Sequence, residues 1–206
     1  MNDALRPIRL AIFASGEGTN AREIIRYFQD GAHPVLGRPV EIGLVVCNRP
    51  GAGVLKIAAE AAIPVCLIEK EEFFRGSHYL DVLQGQEITF IVLAGFLWKI
   101  PAELIRQFPD HILNIHPALL PLFGGKGMYG KAVHEAVIAS HQKESGISIH
   151  YVDEMYDHGR IFFQSSFPLS PGETPKSLAE KIHALEHKHY PEQIARWLEC
   201  KLSLNP

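Results

Sequence analysis

An amide and an imidazole lie close together in the segment Asn114-Ile115-His116-Pro117. The segment follows the apolar pair Ile112-Leu113, which predicts that it ends a buried strand. Side chains two residues apart on a strand point to the same face, so the Asn114 amide and the His116 imidazole should be neighbours. Pro117 has no backbone N–H and should end the strand. Because ligands bind at this end of open α/β sheets, the pair is a candidate donor and acid–base group; the alternative is a polar strand end with one satisfied histidine.

A glycine-rich turn, Ser15-Gly16-Glu17-Gly18-Thr19-Asn20, separates a predicted strand from a predicted helix. Such a turn brings backbone N–H groups close to a phosphate at a helix N-terminus. With Ala21 it also matches the dinucleotide fingerprint, but that motif needs an acidic residue after the second strand, and the segment 45–48 has none. We therefore favour a phosphate monoester over a nicotinamide cofactor. The structural alternative is a tight turn in which Thr19 or Asn20 caps the helix.

A third polar group of interest is Asp157, in the segment Tyr156-Asp157-His158-Gly159. An aspartate shortly before a glycine is often only a turn residue. A carboxylate that reached His116 would orient the imidazole and raise its pKa. The spacing alone leaves both interpretations open.

The hydrophobic pattern predicts the elements that hold these groups. Short β-branched runs alternate with amphipathic stretches, which predicts a mostly parallel, twisted sheet with helices on both faces. After Gly146 the pattern changes to two strands around the Asp157 turn, which predicts an antiparallel C-terminal part. The predicted strands are 8–13, 40–47, 64–68, 88–93, 111–115, 147–152 and 161–167; the predicted helices are 20–30, 53–62, 71–83, one that begins at Pro101, and a stretch over 175–197 with a break near Pro191.

Composition narrows the class of protein. The chain has 206 residues, 47% hydrophobic residues and a net charge of −3, which fits one globular domain and gives no sign of nucleic-acid binding. Three widely spaced cysteines favour a reducing compartment, and eleven histidines show no metal-binding spacing. The apolar stretch 88–98 is too short to span a bilayer. We expect a cytoplasmic protein with no metal, no nucleic-acid partner and no membrane contact.

Together these motifs resemble those of phosphoribosylglycinamide formyltransferases, the folate-dependent family of purine synthesis. The resemblance runs over about 8–191, and the order of its markers makes the combination specific. The markers are the turn at 15–20, the segment 92–96, the segments 114–117 and 119–121, Gly146, Ser148, His150, Asp157, Gln164, Glu186-His187 and Tyr190-Pro191.

The resemblance implies a Rossmann-like formyltransferase domain over 1–206, with a phosphate-binding half at about 8–100 and a catalytic and folate half at about 101–192. It implies transfer of the formyl group of 10-formyltetrahydrofolate, the co-substrate, to the amine of glycinamide ribonucleotide, by a monomer or homodimer. The implied site residues are catalytic Asn114, His116 and Asp157; phosphate-binding Gly18, Thr19 and Asn20; Glu186 for the glycinamide end; and Leu97, Trp98, Lys99, Ile100 and Asn114 for folate.

The sequence departs from the family pattern in the loop 122–130, which is longer and richer in glycine than usual. We interpret this loop as a mobile cover over the site, with a non-functional insertion as the alternative. No clear match exists for the arginine that some members place on folate, and His158 replaces a glycine. The alternative functions are formyltetrahydrofolate deformylase, a hydrolase, and a non-catalytic nucleotide-binding module.

Overall fold

The computed structural model describes residues 6–204 and contains a seven-stranded sheet in the order β3-β2-β1-β4-β5-β6-β7. The first five strands pair in parallel, whereas β6 pairs antiparallel with β5 and β7. Strand order reverses between β1 and β4, which is where open α/β sheets bind ligands. The strands are β1 (Ile8–Ala14), β2 (Val40–Cys47), β3 (Val65–Leu67), β4 (Phe90–Leu93), β5 (Ile112–His116), β6 (Glu144–Tyr151) and β7 (Ile161–Pro168).

Helices cover both faces of this sheet, and each face has its own hydrophobic core. One core holds buried residues of the first, second, sixth and seventh helices, and the other holds those of the third, fourth and fifth. The predicted fold class is therefore confirmed. The helices are α1 (Thr19–Phe28), α2 (Gly53–Glu60), α3 (Lys70–Arg75), α4 (His78–Gly85), α5 (Ala102–Gln107), α6 (Lys131–Ala139) and α7 (Pro175–Leu204).

The predicted helix 71–83 is wrong, because the chain forms two helices, α3 and α4, with a break at Gly76. Gly76 is extended, and a Cβ there would lie 2.1 Å from Glu72 Oε1. Glu72 Oε1 accepts a hydrogen bond from the His78 backbone N–H at 2.9 Å, which satisfies a donor at the start of α4. The break between the two helices thus depends on a contact of the Glu72 side chain, which the periodicity of the apolar residues does not indicate.

The predicted break near Pro191 is also wrong, because α7 continues through this residue. A proline inside a helix removes one backbone hydrogen bond. Buried side chains on both sides of Pro191 pack into the core and hold the two halves in line: Leu178, Ile182, Tyr190, Ile194, Trp197 and Leu198. Sequence analysis assigned no element to 131–139, where the structure has α6.

The antiparallel part of the sheet depends on a close backbone approach at Gly146, which pairs with Ser166 across β6 and β7. A Cβ at position 146 would lie 2.0 Å from the Ser165 carbonyl oxygen and 2.8 Å from Ser166 Cα. Both are backbone atoms, so a side chain here would have to move a strand. Only glycine fits this register.

We therefore expect Gly146→Ala to lower the free energy of unfolding by about 1–3 kcal/mol, the usual cost of overpacking. Gly85→Ala is the matched control, because nothing lies within 4 Å of a Cβ at that position. The control should be neutral or slightly stabilising, since Gly85 is the last residue of α4. Urea unfolding of both variants is the measurement, and an equal stability of the two would contradict the pairing of β6 with β7.

Candidate active site

A cavity of about 690 Å³ opens at the carboxyl ends of β1, β4 and β5. It brings together segments that are far apart in the sequence, including every residue predicted for catalysis and phosphate binding. The lining consists of 16–20, 94–97, 114–117 and 125–130, together with His134, Tyr156, Asp157, His183 and Glu186.

Two hydrogen-bond bridges hold the strand ends that form this cavity. The Ser15 backbone N–H donates to the Gly95 carbonyl at 3.1 Å, and the Ser15 hydroxyl accepts from the Leu97 N–H at 3.0 Å. The buried Tyr190 hydroxyl lies 3.0 and 3.2 Å from the carbonyl oxygens of Leu93 and Leu113, at β4 and β5. The glycine-rich turn, the segment 94–97 and β5 are thereby fixed relative to one another.

Gly18 shapes the glycine-rich turn 15–20. Its φ is +75°, and a Cβ there would lie 2.7 Å from Val54 Cβ on α2, so glycine is required both by conformation and by packing. Gly18 itself is the N-cap residue, and no side chain caps α1 among the described residues. The alternative in which Thr19 or Asn20 caps this helix is therefore wrong. The amino end of α1 faces the cavity without a side-chain acceptor, as an anion site requires.

His116 is buried beside Asp157, as one of the two interpretations of Asp157 required. The His116 Nδ1 and Asp157 Oδ2 atoms are 3.6 Å apart, and His116 Nε2 donates to the Phe123 carbonyl oxygen at 2.8 Å. Burial lowers the pKa of His116, and the Asp157 charge and the Phe123 carbonyl oppose this effect only in part. In the free protein burial therefore favours the neutral imidazole, whose single proton is on Nε2 and is donated to the Phe123 carbonyl. Nδ1 then faces the Asp157 carboxylate without a proton and makes no hydrogen bond to it.

Asn114 is oriented by His150, a buried residue on β6. His150 Nδ1 lies 2.8 Å from the Tyr151 carbonyl oxygen, so this nitrogen carries the proton. In the neutral ring Nε2 is then an acceptor, and the Asn114 amide nitrogen donates to it at 3.0 Å. The second N–H of this amide points towards Asp157 Oδ1, 3.5 Å away. His150 thus decides which end of the amide faces Asp157.

Asp157 connects all of these groups through one carboxylate. Its Oδ2 accepts the Gly125 backbone N–H at 2.9 Å, and its Oδ1 is 3.7 Å from His150 Nε2. Burial raises the pKa of Asp157, but the contacts with His150 and His116 and the hydrogen bond from the Gly125 N–H together outweigh burial, and the net pKa is lowered. Asp157 also has a φ of +53°, so it is a turn residue that at the same time contacts both histidines.

Glu186 lies at the other end of the site, on α7 against the glycine-rich turn. It is 6% exposed, and its Oε2 accepts a hydrogen bond from Asn20 Nδ2 at 3.0 Å. Burial raises the pKa of Glu186 to about 7, although the Asn20 hydrogen bond opposes this effect. The Asn20 Oδ1 atom is buried without a partner among the described residues. Two acceptors therefore lie side by side where a ligand with N–H or O–H donors would meet them.

Of the folate-binding residues that the resemblance implies, only some line the cavity. Leu97 and Asn114 line the cavity, whereas Trp98, Lys99 and Ile100 do not. Trp98 packs against Phe73 and Phe74, Ile100 is buried in the core, and Lys99 is exposed. Any contact of Ile100 with a ligand would therefore involve its backbone.

The marker residues Ser148 and Gln164 have a positioning role that the sequence did not reveal. The Ser148 hydroxyl donates to the Ala118 carbonyl at 2.7 Å and accepts the Leu120 N–H at 2.9 Å. Gln164 Nε2 donates to the Leu120 carbonyl at 3.0 Å and to the Ser148 hydroxyl at 2.8 Å. These bonds fix the start of the loop that follows the catalytic strand.

Three further histidines lie in or near this region. His158 pairs with Asp153 at 2.9 Å and is 63% exposed, away from the cavity lining. His134 and His183 line the cavity, but neither was singled out in the sequence. His183 lies one turn before Glu186 on α7, so helical spacing from Glu186 is the signal that would have found it.

In the described range 6–204, no group of three or more His, Cys, Asp or Glu side chains is arranged to hold a metal ion. None of the helices in that range is both long enough and apolar enough to cross a membrane.

Comparison with known proteins agrees with this geometry. Residues 8–194 match the formyl transferase family. The chain belongs to the formyl transferase family. It is 32% identical over 194 residues to the phosphoribosylglycinamide formyltransferase of Bacillus subtilis, with coverage of 92% of this chain and 94% of the relative. The crystal structure of glycinamide ribonucleotide transformylase 1 from Geobacillus kaustophilus superposes with a TM-score of 0.80, at 35% identity over 92% of this chain and 98% of that one.

A plant relative is more similar in sequence but longer. The chain is 42% identical over 199 residues to the chloroplastic phosphoribosylglycinamide formyltransferase of Arabidopsis thaliana, which covers 94% of this chain and 66% of the relative. It matches only 14% of the trifunctional purine biosynthetic protein adenosine-3 of Drosophila melanogaster. This chain thus spans about two thirds of the plant protein and about a seventh of the insect protein.

The buried Glu186 carboxyl should make stability depend on pH. Its folded pKa of about 7 is above its unfolded value of 4.5, so its contribution is fully present below pH 4.5 and is lost as pH rises through 7. We expect Glu186→Gln to be more stable than the wild type at pH 8, by about 2–3 kcal/mol, and to lose most of this gain at pH 5. Urea unfolding at the two pH values measures the difference, which would be independent of pH if Glu186 were ionised in the folded protein.

The contact of Asp157 with His116 should appear directly in the titration of His116. Since the Asp157 charge raises the pKa of His116 against the effect of burial, Asp157→Asn should lower that pKa further. NMR titration of the ring resonances of His116 is the measurement. His189 is the internal control, because burial, Lys188 and Glu192 shift its pKa and Asp157 does not. If the pKa of His116 were unchanged in the variant, the charge of Asp157 would not act on His116.

Proposed function

We propose that this chain transfers the formyl group of 10-formyltetrahydrofolate to the amine of glycinamide ribonucleotide, and releases tetrahydrofolate. The observation that carries this proposal is the meeting of the Asn114, His116 and Asp157 side chains in one cavity with the glycine-rich turn. A reactive centre and a phosphate site in a single cavity suit a reaction between a phosphorylated amine and a second bound substrate. The names of the full-length bacterial relatives support the same activity.

The chemistry is a direct acyl transfer. The free amine attacks the formyl carbon, and a tetrahedral oxyanion forms. The bond from that carbon to N10 of the folate then breaks, the amine loses a proton, and N10 gains one. His116 is the proposed proton carrier between the two nitrogens, and Asn114 and His116 are the proposed donors to the oxyanion. Asp157 stabilises the imidazolium that forms during transfer.

The hydrogen bond from His116 to the Phe123 carbonyl sets a condition on this mechanism. In the free protein its Nε2–H donates to the Phe123 carbonyl, so donation to the formyl oxygen requires that this bond be exchanged. Likewise one Asn114 N–H is held by His150, and the other has only the long contact to Asp157. Substrate binding is therefore expected to shift the start of the loop 122–130 or to rotate the imidazole.

The binding roles follow the arrangement of the cavity. Gly18, Thr19 and Asn20 are proposed to bind the substrate phosphate, and Glu186 to hold the glycinamide end. Because Glu186 is bonded to Asn20, it lies close to the proposed phosphate site and would also reach neighbouring parts of the same ligand. The segment 97–100 and Asn114 are proposed to bind the folate.

The remaining expectations are proposals of the same kind. The division into a phosphate-binding half at about 8–100 and a catalytic and folate half at about 101–192 agrees with the positions of Gly18 and His116. A cytoplasmic location is supported by three free thiols, Cys47, Cys66 and Cys200. The state of assembly, monomer or homodimer, stays a prediction.

The assay that tests the proposed function follows release of tetrahydrofolate from 10-formyltetrahydrofolate with and without glycinamide ribonucleotide. The wild type should release it only when the ribonucleotide is present. Equal release without the acceptor would indicate a hydrolase, and no release in either case would indicate a binding protein without catalysis.

In the same assay we expect His116→Ala to lower kcat by about 10²- to 10⁴-fold, the usual loss when a general acid–base group is removed. Binding of glycinamide ribonucleotide, measured by calorimetry, should survive. His158→Ala is the control, since this exposed imidazole lies outside the cavity lining, and it should keep its turnover. A His116→Ala variant that retains more than about a tenth of wild-type kcat would exclude His116 as the proton carrier.

A further inference from the structure

The glycine-rich loop that follows the catalytic strand ends in an ordered turn at the cavity wall. The Met128 N–H donates to the Gly125 carbonyl at 3.0 Å, and Gly127 has a φ of +89°. A bond between the first and fourth residues with a glycine of positive φ in the third position is the pattern of a type II turn. Lys126 occupies the second position, at the corner of the turn.

Both ends of this turn are fixed to the rest of the protein. The Gly125 N–H donates to Asp157 Oδ2 at 2.9 Å, so the residue before Lys126 is bonded to the catalytic carboxylate. Met128, two residues after Lys126, packs against the hydrophobic core. The backbone that carries Lys126 is thus positioned by the active site itself, while a Cβ at Gly125 or Gly127 would have nothing within 4 Å.

Lys126 is the only lysine or arginine that lines the cavity in the described part of the chain. Three carboxylate residues, Glu17, Asp157 and Glu186, share the same lining. Among the described residues Lys126 makes no hydrogen bond or ion pair, and its side chain is exposed. An anion that enters this cavity therefore meets one lysine side chain, which has no competing partner in the described range 6–204.

We propose that Lys126 binds the phosphate of glycinamide ribonucleotide and closes the phosphate site opposite the glycine-rich turn. The inference rests on the proposed function, and it adds a specificity residue that comes from the loop 122–130. Backbone N–H groups at the start of α1 contact one side of the phosphate, and the ammonium group contacts another. Because the turn is bonded to Asp157, binding of the phosphate end also holds the loop against the catalytic pair.

The test measures the binding of two ligands, which differ only in the phosphate, to two proteins, which differ only at position 126. Wild type and Lys126→Ala are titrated calorimetrically with glycinamide ribonucleotide and with glycinamide riboside, which lacks the phosphate. The variant should bind the ribonucleotide about 10- to 100-fold more weakly, the effect of losing a hydrogen bond to a charged group. The riboside should bind both proteins equally.

Lys131→Ala is the matched control. Lys131 is also a lysine of this region, at the start of α6, but it pairs with Glu135 at 2.8 Å, is 83% exposed and does not line the cavity. It should bind both ligands as the wild type does. Lys126→Arg, which keeps the charge, should recover part of the lost affinity, and thermal unfolding checks that each variant is folded.

Three results would overturn the assignment of Lys126. Equal losses for ribonucleotide and riboside would mean that the lysine supports the site without touching phosphate, and no loss for either would mean that it contacts no part of this ligand. A loss for 10-formyltetrahydrofolate alone, absent for an analogue without the glutamate tail, would assign Lys126 to the folate carboxylates. A wild type that binds no ribonucleotide would instead overturn the proposed function itself.

Discussion

The carboxylate of Asp157 is the constraint on which the rest of the site depends. This side chain, 11% exposed, contacts the His116 imidazole, the Asn114 amide and the backbone of the loop 122–130. A buried charge is stable only when its surroundings supply hydrogen bonds or opposite charge. The net pKa of Asp157 is nevertheless lowered, so its partners more than offset its burial. Removing that charge would release three segments of the chain at once.

The fold explains why these partners meet at Asp157. His116 and Asn114 end the last parallel strand, β5, and His150 comes from its antiparallel neighbour β6, directly opposite Asn114. Asp157 lies in the connection from β6 to β7. The change from parallel to antiparallel pairing thus returns the chain to the catalytic strand, with a turn residue of positive φ placing the carboxylate. The parallel part of the sheet supplies the glycine-rich turn 15–20, and the antiparallel part brings Asp157 and His150 to His116 and Asn114.

Much of this arrangement was predictable from local patterns in the sequence. The strand end at 114–117, the glycine-rich turn and the alternation of strands and helices each have a short-range signal, and the structure places them as expected. The break at Gly76 was not predictable in this way, because it depends on Glu72 capping the next helix. The continuity of α7 through Pro191 depends on long-range packing. This packing could not be predicted from the local effect of proline on a helix.

The electrostatic state of the site was the least predictable part. Sequence reasoning left open whether Asp157 reaches His116 and raises its pKa, and it could not weigh this effect against burial, which the fold decides. The roles of His150, Ser148 and Gln164 were hidden for a similar reason, since each acts through contacts across strands. Residues 125–130 of the loop line the cavity, and its movement as a cover stays a prediction.

The most direct test of the account follows the formyl group itself. Carbon-labelled 10-formyltetrahydrofolate is incubated with the protein and glycinamide ribonucleotide, and the label is measured in the ribonucleotide product and in free formate. The account predicts that the label enters the amide of the ribonucleotide, with one formyl group for each tetrahydrofolate released. Label that accumulates mainly as formate in the presence of saturating ribonucleotide would contradict it, because water would then be the acceptor in this cavity.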